Sequence, residues 1–325
     1  MKLAVIGAGY WGRNLIRVAH ELNVLESVFD TDETALARLA DEYPGIGLDR
    51  ELATLLDRDI DAVVIAAPAP LHAEIALEAV ASGKHVFVEK PLAMNPDEAA
   101  TVVRAAGAGG RTLFVGHLLL YHPAVQRMIG LLREGAIGDV RHVRSRRLSW
   151  GKVRRAENVW WSFAPHDIAL ALEIFEEPPL AVQGSTSAFI TEGIADFAYA
   201  DLSFSRSRSA HIEVSWIDPE RSSRLDVFGS SGVLRLCDAR EGPSLTFTPC
   251  GAEKSAAGAA TLWREDERRI DFMPAEPLKR ELQAFIDAVR TGTAPLTDGD
   301  EGLRVVRVLS MLEESSYHTS MEVPA

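Results

Sequence analysis

The chain has 325 residues, of which 47% are hydrophobic and 25% charged, and a formal net charge of −13. Its length exceeds the usual single-core size and points to two domains, while the composition excludes a disordered chain. The acidic balance excludes nucleic acid or an anionic membrane surface as the main partner.

From Lys2 to Val115 short apolar runs alternate with helical patterns, the signature of a doubly wound parallel sheet. No apolar run approaches the roughly 20 residues of a membrane span. Met1 leads straight into a strand, so no signal peptide is predicted. Strands are expected at Leu3–Ile6, Val24–Phe29, Ala62–Ala66, His85–Val88 and Thr112–Val115, with helices between them. Leu15, Ala19 and Leu22 give the first helix an apolar stripe, another helix runs from about Leu71 to Ser82, and Asn95 is placed to cap the next.

Directly after the first strand comes Gly7-Ala8-Gly9-Tyr10-Trp11-Gly12, followed by a helix. In that context the glycines let backbone amides and a helix N-terminus approach a pyrophosphate without Cβ obstruction. Asp30 ends the second strand 18 residues after Gly12, where a carboxylate can accept bonds from an adenosine ribose and repel a 2′-phosphate. Thr31 and Asp32 follow it rather than a base. NAD is therefore expected over NADP. A glycine turn made for tight packing, with a solvated acid at the strand end, is the structural alternative.

The fourth of these strands runs into Glu89-Lys90-Pro91, placing two charges at the carboxyl edge of the sheet, where such folds bind ligands. A neutral Lys90 amine, its pKa lowered toward about 7 to 8, can accept a hydroxyl proton as hydride departs; an ammonium donates one in the reverse direction. Pro91 fixes φ and permits a cis peptide that would aim Lys90.

Beyond Tyr121 the pattern becomes two-residue alternation. Between Arg141 and Arg155 lie Arg141, Arg144, Arg146, Arg147, Lys152, Arg154 and Arg155 with no acid. This is either a solvated face or a site for an anionic ligand such as a sugar nucleotide, whose diphosphate suits arginine forks. In the stretch from Asn158 to Phe175, Pro165 fits a first helical turn, so His166 and Asp167 are expected near a helix N-terminus. His166 could orient or protonate a sugar oxygen, although a lone histidine is as readily structural. Trp160 and Trp161 fit core packing or ligand stacking. Ala198–Phe204 and Ala210–Trp216 read as a hairpin, Gly229–Gly232 as a turn, Gly251–Ala260 as a loop, and Glu276–Arg290 and Gly299–Ser315 as helices. Cys237 and Cys250 show no metal spacing and no disulfide framework, which suits a cytoplasmic location, and no metal site is expected.

The glycine turn, Ala66-Ala67-Pro68 with His72, Glu89-Lys90-Pro91, Gly116-His117 and Pro165-His166-Asp167 together resemble the Gfo/Idh/MocA oxidoreductase family over nearly the whole chain. The resemblance implies a Rossmann domain at 1–118 and, at 119–325, an α+β domain with a mixed, largely antiparallel sheet whose open face makes a homodimer or homotetramer. It implies Lys90 and His166 as catalytic residues. It also implies Gly7, Gly9, Tyr10, Trp11, Gly12, Asp30, Ala67, Pro68, His72, Glu89 and Lys90 around NAD, and Tyr121, Arg147 and Trp161 beside Lys90 and His166 around substrate. Many members carry an acid four residues before this histidine, where this chain has Ser162. A hydroxyl cannot replace a carboxylate as charge partner, which shifts the acid–base burden to Lys90. Within the family, the stretches from Gly116 to Val125, Arg146 to Gly151 and Glu157 to Asp167 look most like nucleotide-sugar 3-dehydrogenases of lipopolysaccharide assembly. That implies a UDP-N-acetylglucosamine or UDP-N-acetylglucosaminuronate substrate, the former favoured. A keto-sugar reductase, an inositol-type polyol dehydrogenase and a non-catalytic NAD- or sugar-sensing protein are the alternatives.

Overall fold

The structure, a computed structural model, describes residues 1–151, 153–155, 157–239, 242–254 and 258–320. The chain divides into two compact units, Met1–Leu118 with Glu276–Arg307, and Leu119–Ala275 with Val308–Ala325.

The first unit opens with β1 (Leu3–Ile6), α1 (Gly12–Glu21), β2 (Leu25–Phe29), α2 (Glu33–Glu42), β3 (Gly47–Asp49) and α3 (Leu52–Leu56). It continues with β4 (Ala62–Ile65), α4 (His72–Ala81), β5 (His85–Glu89), α5 (Pro96–Ala108) and β6 (Leu113–Gly116). The six strands form one parallel sheet in the order β3-β2-β1-β4-β5-β6, the doubly wound arrangement the alternation predicts. β1 and β4 are buried throughout, as a strand covered on both faces must be. The Asn95 side chain accepts from the Glu98 amide at 2.9 Å and caps α5 as expected. β3 escaped the sequence reading because three residues carry too little periodicity; Asp49 at its end accepts both Arg58 hydrogen bonds, at 2.7 and 2.8 Å.

The second unit contains α6 (Pro123–Arg133), β7 (Val140–Trp150), α7 (Val159–Phe175), β8 (Ala181–Ser187), β9 (Phe197–Ser203) and β10 (Ser209–Ser215). Then follow β11 (Ile217–Gly229), β12 (Gly232–Ala239), β13 (Gly242–Lys254), β14 (Ala260–Arg264) and β15 (Arg268–Ile270). They make a nine-stranded sheet in the order β14-β13-β12-β11-β7-β10-β9-β8, with β15 also paired to β13. Only the β10–β7 ladder is parallel, so the sheet is mixed and largely antiparallel. β9 and β10 form the expected hairpin, their alternate residues Ala198, Ala200, Leu202, Ala210, Ile212 and Val214 buried against α7 and its neighbours. The loop expected over Gly251–Ala260 is shorter than predicted: β13 extends to Lys254 and β14 starts at Ala260, while residues 255–257 lie outside the described residues. Small residues still offer amides and carbonyls for a ladder, so composition overstated the loop's length.

The final helices are α8 (Pro277–Thr291) and α9 (Gly299–Ser320). A division at 118 assigns both to the second domain; instead Glu276–Arg307 belongs to the first unit. The reason is an apolar stripe on α8, Leu278, Leu282, Phe285 and Ile286, which needs a core. Phe285 meets Phe87 and Phe114 edge-on, with centroids 5.7 and 5.6 Å away.

Candidate active site

In the first unit the glycine turn is shaped by three different constraints. Gly7 has φ of +102°, and a Cβ there would stand 2.8 Å from the Ala66 carbonyl oxygen. A Cβ on Gly12 would overlap the Gly7 carbonyl. At Gly9, by contrast, an added Cβ meets nothing within 4 Å of protein. The first two glycines answer to the fold, and the third fits a ligand that must come close, which is how a dinucleotide pyrophosphate meets this turn. Asp30 directly follows the adjoining β2 and holds the turn, its carboxylate accepting from the Ala8 amide at 2.5 Å and the Asp32 amide at 2.8 Å. Tyr10 is exposed.

Glu89 is the last residue of β5, and the Lys90–Pro91 peptide is cis. Glu89 is only 7% exposed and accepts hydrogen bonds from the Trp11 indole N–H and, at 3.3 Å, from the Lys90 amide. Trp11 thus ties the glycine turn to the residue before the lysine. Burial pushes the Glu89 carboxyl above its ordinary value, against the Trp11 hydrogen bond and the Lys90 and His117 charges, which pull it down. His72 is buried and reaches the Pro91 and Ala67 carbonyl oxygens from its two ring nitrogens, at 2.7 and 2.8 Å. It joins the Ala67 and Pro91 segments; Pro68, next to Ala67, is exposed.

In the second unit, Asn158 caps α7 by accepting from the Trp161 amide at 3.1 Å. Pro165 is therefore the seventh residue of α7, and His166 and Asp167 lie inside the helix, not at its N-terminus. The expectation took an interior proline for a first-turn one. His166 is part-exposed, one turn from the buried Ser162. Asp167 faces the sheet: its carboxylate accepts from Arg147 Nε at 2.8 Å and Nη2 at 2.9 Å, and from the Ser145 hydroxyl at 2.5 Å. Burial alone would lower the Arg147 pKa, but the Asp167 charge and hydrogen bonds raise it. Arg147 is thereby paired with Asp167 through two of its three nitrogens.

Trp161 is 3% exposed and its indole donates to Glu313 at 2.6 Å, while Trp160 is fully buried and donates to the Leu309 carbonyl. The Trp161 ring offers no open face for stacking. Tyr121 is buried as well. The basic island also dissolves on inspection. Alternation along β7 sends Arg144 to Asp226 and Arg146 to Glu213, each at 2.7 Å, on the face opposite Arg147, and Arg154 pairs with Glu157 at 2.7 Å. Arg141 and Arg155 are exposed, and Lys152 lies outside the described residues. A cluster in sequence is divided by the strand period, so its described residues form no single diphosphate site.

Sequence reading missed Glu281. It lies on the apolar stripe of α8 with Leu278, Leu282 and Phe285, fully buried, and that misplaced acid was a signal available at the outset. Among the described residues no helix is long and apolar enough to cross a membrane, and no group of His, Cys, Asp or Glu could hold a metal ion.

Residues 1–117 match the family described as an oxidoreductase family with an NAD-binding Rossmann fold, and 125–235 match the GFO/IDH/MocA C-terminal domain. The chain is 25% identical to the UDP-N-acetylglucosamine 3-dehydrogenase of Acidithiobacillus ferrooxidans over 94% of both chains. A solved structure of that enzyme superposes with a TM-score of 0.85, covering 98% of each chain. A solved structure from Magnetospirillum magnetotacticum MS-1 is 31% identical with a TM-score of 0.82, covering 96% of this chain and 99% of that one. The inositol 2-dehydrogenase of Pseudomonas fluorescens is 26% identical over 90% of this chain and 87% of its own.

Proposed function

We propose that this chain, which belongs to the Gfo/Idh/MocA oxidoreductase family and carries its NAD-binding Rossmann fold, oxidises the 3-hydroxyl of a UDP-amino sugar to the ketone, with UDP-N-acetylglucosamine the favoured substrate. The observation that supports this substrate is the similarity to a UDP-N-acetylglucosamine 3-dehydrogenase along 94% of both chains. Arg144, Arg146 and Arg147 of β7 add no independent support, since their ion pairs account for them.

Bound NAD supplies the hydride acceptor. Lys90, at the carboxyl end of β5, takes the hydroxyl proton, and Glu89 fixes the lysine backbone and Trp11. His166 contributes a hydrogen bond to a sugar oxygen. With Ser162 one helical turn before His166, Lys90 carries the acid–base step without a carboxylate relay from that position. The glycine turn with Tyr10 and Trp11, and the Ala67–Pro68 segment braced by His72, hold the cofactor. The product would feed amino-sugar formation for lipopolysaccharide or another surface glycan. The enzyme would work in the cytoplasm as a homodimer or homotetramer built on the open face of the large sheet.

The second reading, an inositol-type polyol dehydrogenase, has support in the full-length similarity to an inositol 2-dehydrogenase. Following NADH absorbance with NAD+ and either UDP-N-acetylglucosamine or free myo-inositol separates the two. The first reading expects turnover with the UDP-sugar alone, and turnover with inositol alone rejects it.

Asp30 carries the cofactor choice. The native chain should prefer NAD+ to NADP+, and Asp30→Ala should narrow the ratio of their kcat/KM values at least about tenfold, or about 1.4 kcal/mol. Equal use of the two cofactors by the native protein would refute this role.

A further inference from the structure

A carboxylate with no counter-charge is expensive inside a protein. Glu281 is fully buried, and among the described residues neither of its oxygens has a hydrogen-bond partner. Its charged neighbour is Glu89, the residue that receives the Trp11 indole and the Lys90 amide. Glu89 in turn feels Lys90 and His117, and His117 is bound through Nδ1 to Glu301 at 2.6 Å. Glu89 and Gly116 are register partners on β5 and β6, and a Cβ on Gly116 would come within 3.1 Å of the Glu89 carboxyl. Glu89 is therefore held from the glycine turn, from β6 and from its own strand, with Glu281 of α8 as a second acid.

We propose that Glu281 is a positioning residue for Lys90: it keeps one proton beside Glu89, leaving Glu89 as the single carboxylate that fixes Trp11 and the lysine backbone. The inference rests on Lys90 being the base of the reading above. Two buried carboxylates close enough to interact cannot both ionise cheaply, and the more deeply buried one keeps the proton. Burial first, and then the Glu89 charge, push the Glu281 carboxyl well above the usual carboxylate range. An apolar residue would suit the α8 stripe better, so an acid retained here carries a cost in stability that a packing role does not explain.

That cost has a defined pH dependence. The unfolded chain ionises Glu281 near the ordinary carboxylate value while the folded one keeps it protonated. Stability therefore falls as pH rises from that value toward the raised folded one. Glu281→Gln should melt close to native in acid and progressively above native toward neutral and alkaline pH.

Infrared difference spectroscopy, native minus Glu281→Gln at pH 7, should show the carbonyl band of a protonated carboxylic acid, and Glu89→Gln should retain that band. Neither measurement uses substrate, so both decide the protonation state even if the UDP-sugar reading fails. With whichever alcohol the enzyme oxidises, ionisation of Glu281 at alkaline pH adds negative charge near Lys90 and favours its ammonium form. The upper part of the rising limb of kcat/KM, where Glu281 begins to ionise, should therefore reach its plateau at lower pH in Glu281→Gln than in native. Carboxylate bands in the difference spectrum, a melting difference that does not vary with pH, or superimposed kcat/KM profiles would each overturn the proposal.

Discussion

Lys90→Ala is expected to bind NAD as native does and to lose about 10³-fold or more in kcat, the upper part of the range for removing a general acid–base group. The size of the loss follows from the proposed mechanism, in which Lys90 alone takes the proton. The position one helical turn before His166 is Ser162, not an acid, and Asp167, the nearest carboxylate in sequence to His166, is bound to Arg147 and Ser145. Glu89 accepts from Trp11 and the Lys90 amide and is the lysine's support. Turnover measured by NADH absorbance, beside NAD affinity by calorimetry, separates chemistry from binding. Native turnover in this variant would remove the mechanism.

Asp167→Ala is expected to do the opposite, taking stability more than chemistry. The Asp167 side chain is fully buried and its Arg147 partner is 19% exposed. Removing one partner of such a pair costs about 3–5 kcal/mol, because the remaining guanidinium stays out of water without a counter-charge. Water reaching Arg147 places the expected loss at the lower end. Denaturant unfolding of Asp167→Ala and of the double variant with Arg147→Met checks this, since two apolar side chains remove the orphaned charge and should recover most of the loss. A loss under about 1 kcal/mol in the single variant would show that the pair is not a structural anchor.

These two variants mark what the sequence disclosed and what it concealed. The glycine turn, the Glu89-Lys90-Pro91 edge and the Asn95 cap were legible because each depends on neighbours within a few residues. Pro165 was misread for the same local reason: proline favours a first helical turn, and only the Asn158 cap moves the helix start to Val159, six residues before it. The arginines of β7 looked like one patch in sequence, yet their acids come from β10, β11 and α7, which no local pattern pairs with them. Glu281 lies 192 positions after Glu89, and their proximity exists only once α8 returns to the first unit.

The most direct test of the central claim is isotopic. Given UDP-N-acetylglucosamine deuterated at carbon 3, the enzyme should produce NADH that carries the deuterium and should turn over more slowly than with unlabelled sugar. Unlabelled NADH from that substrate, or no NADH at all, would contradict oxidation at the 3-hydroxyl.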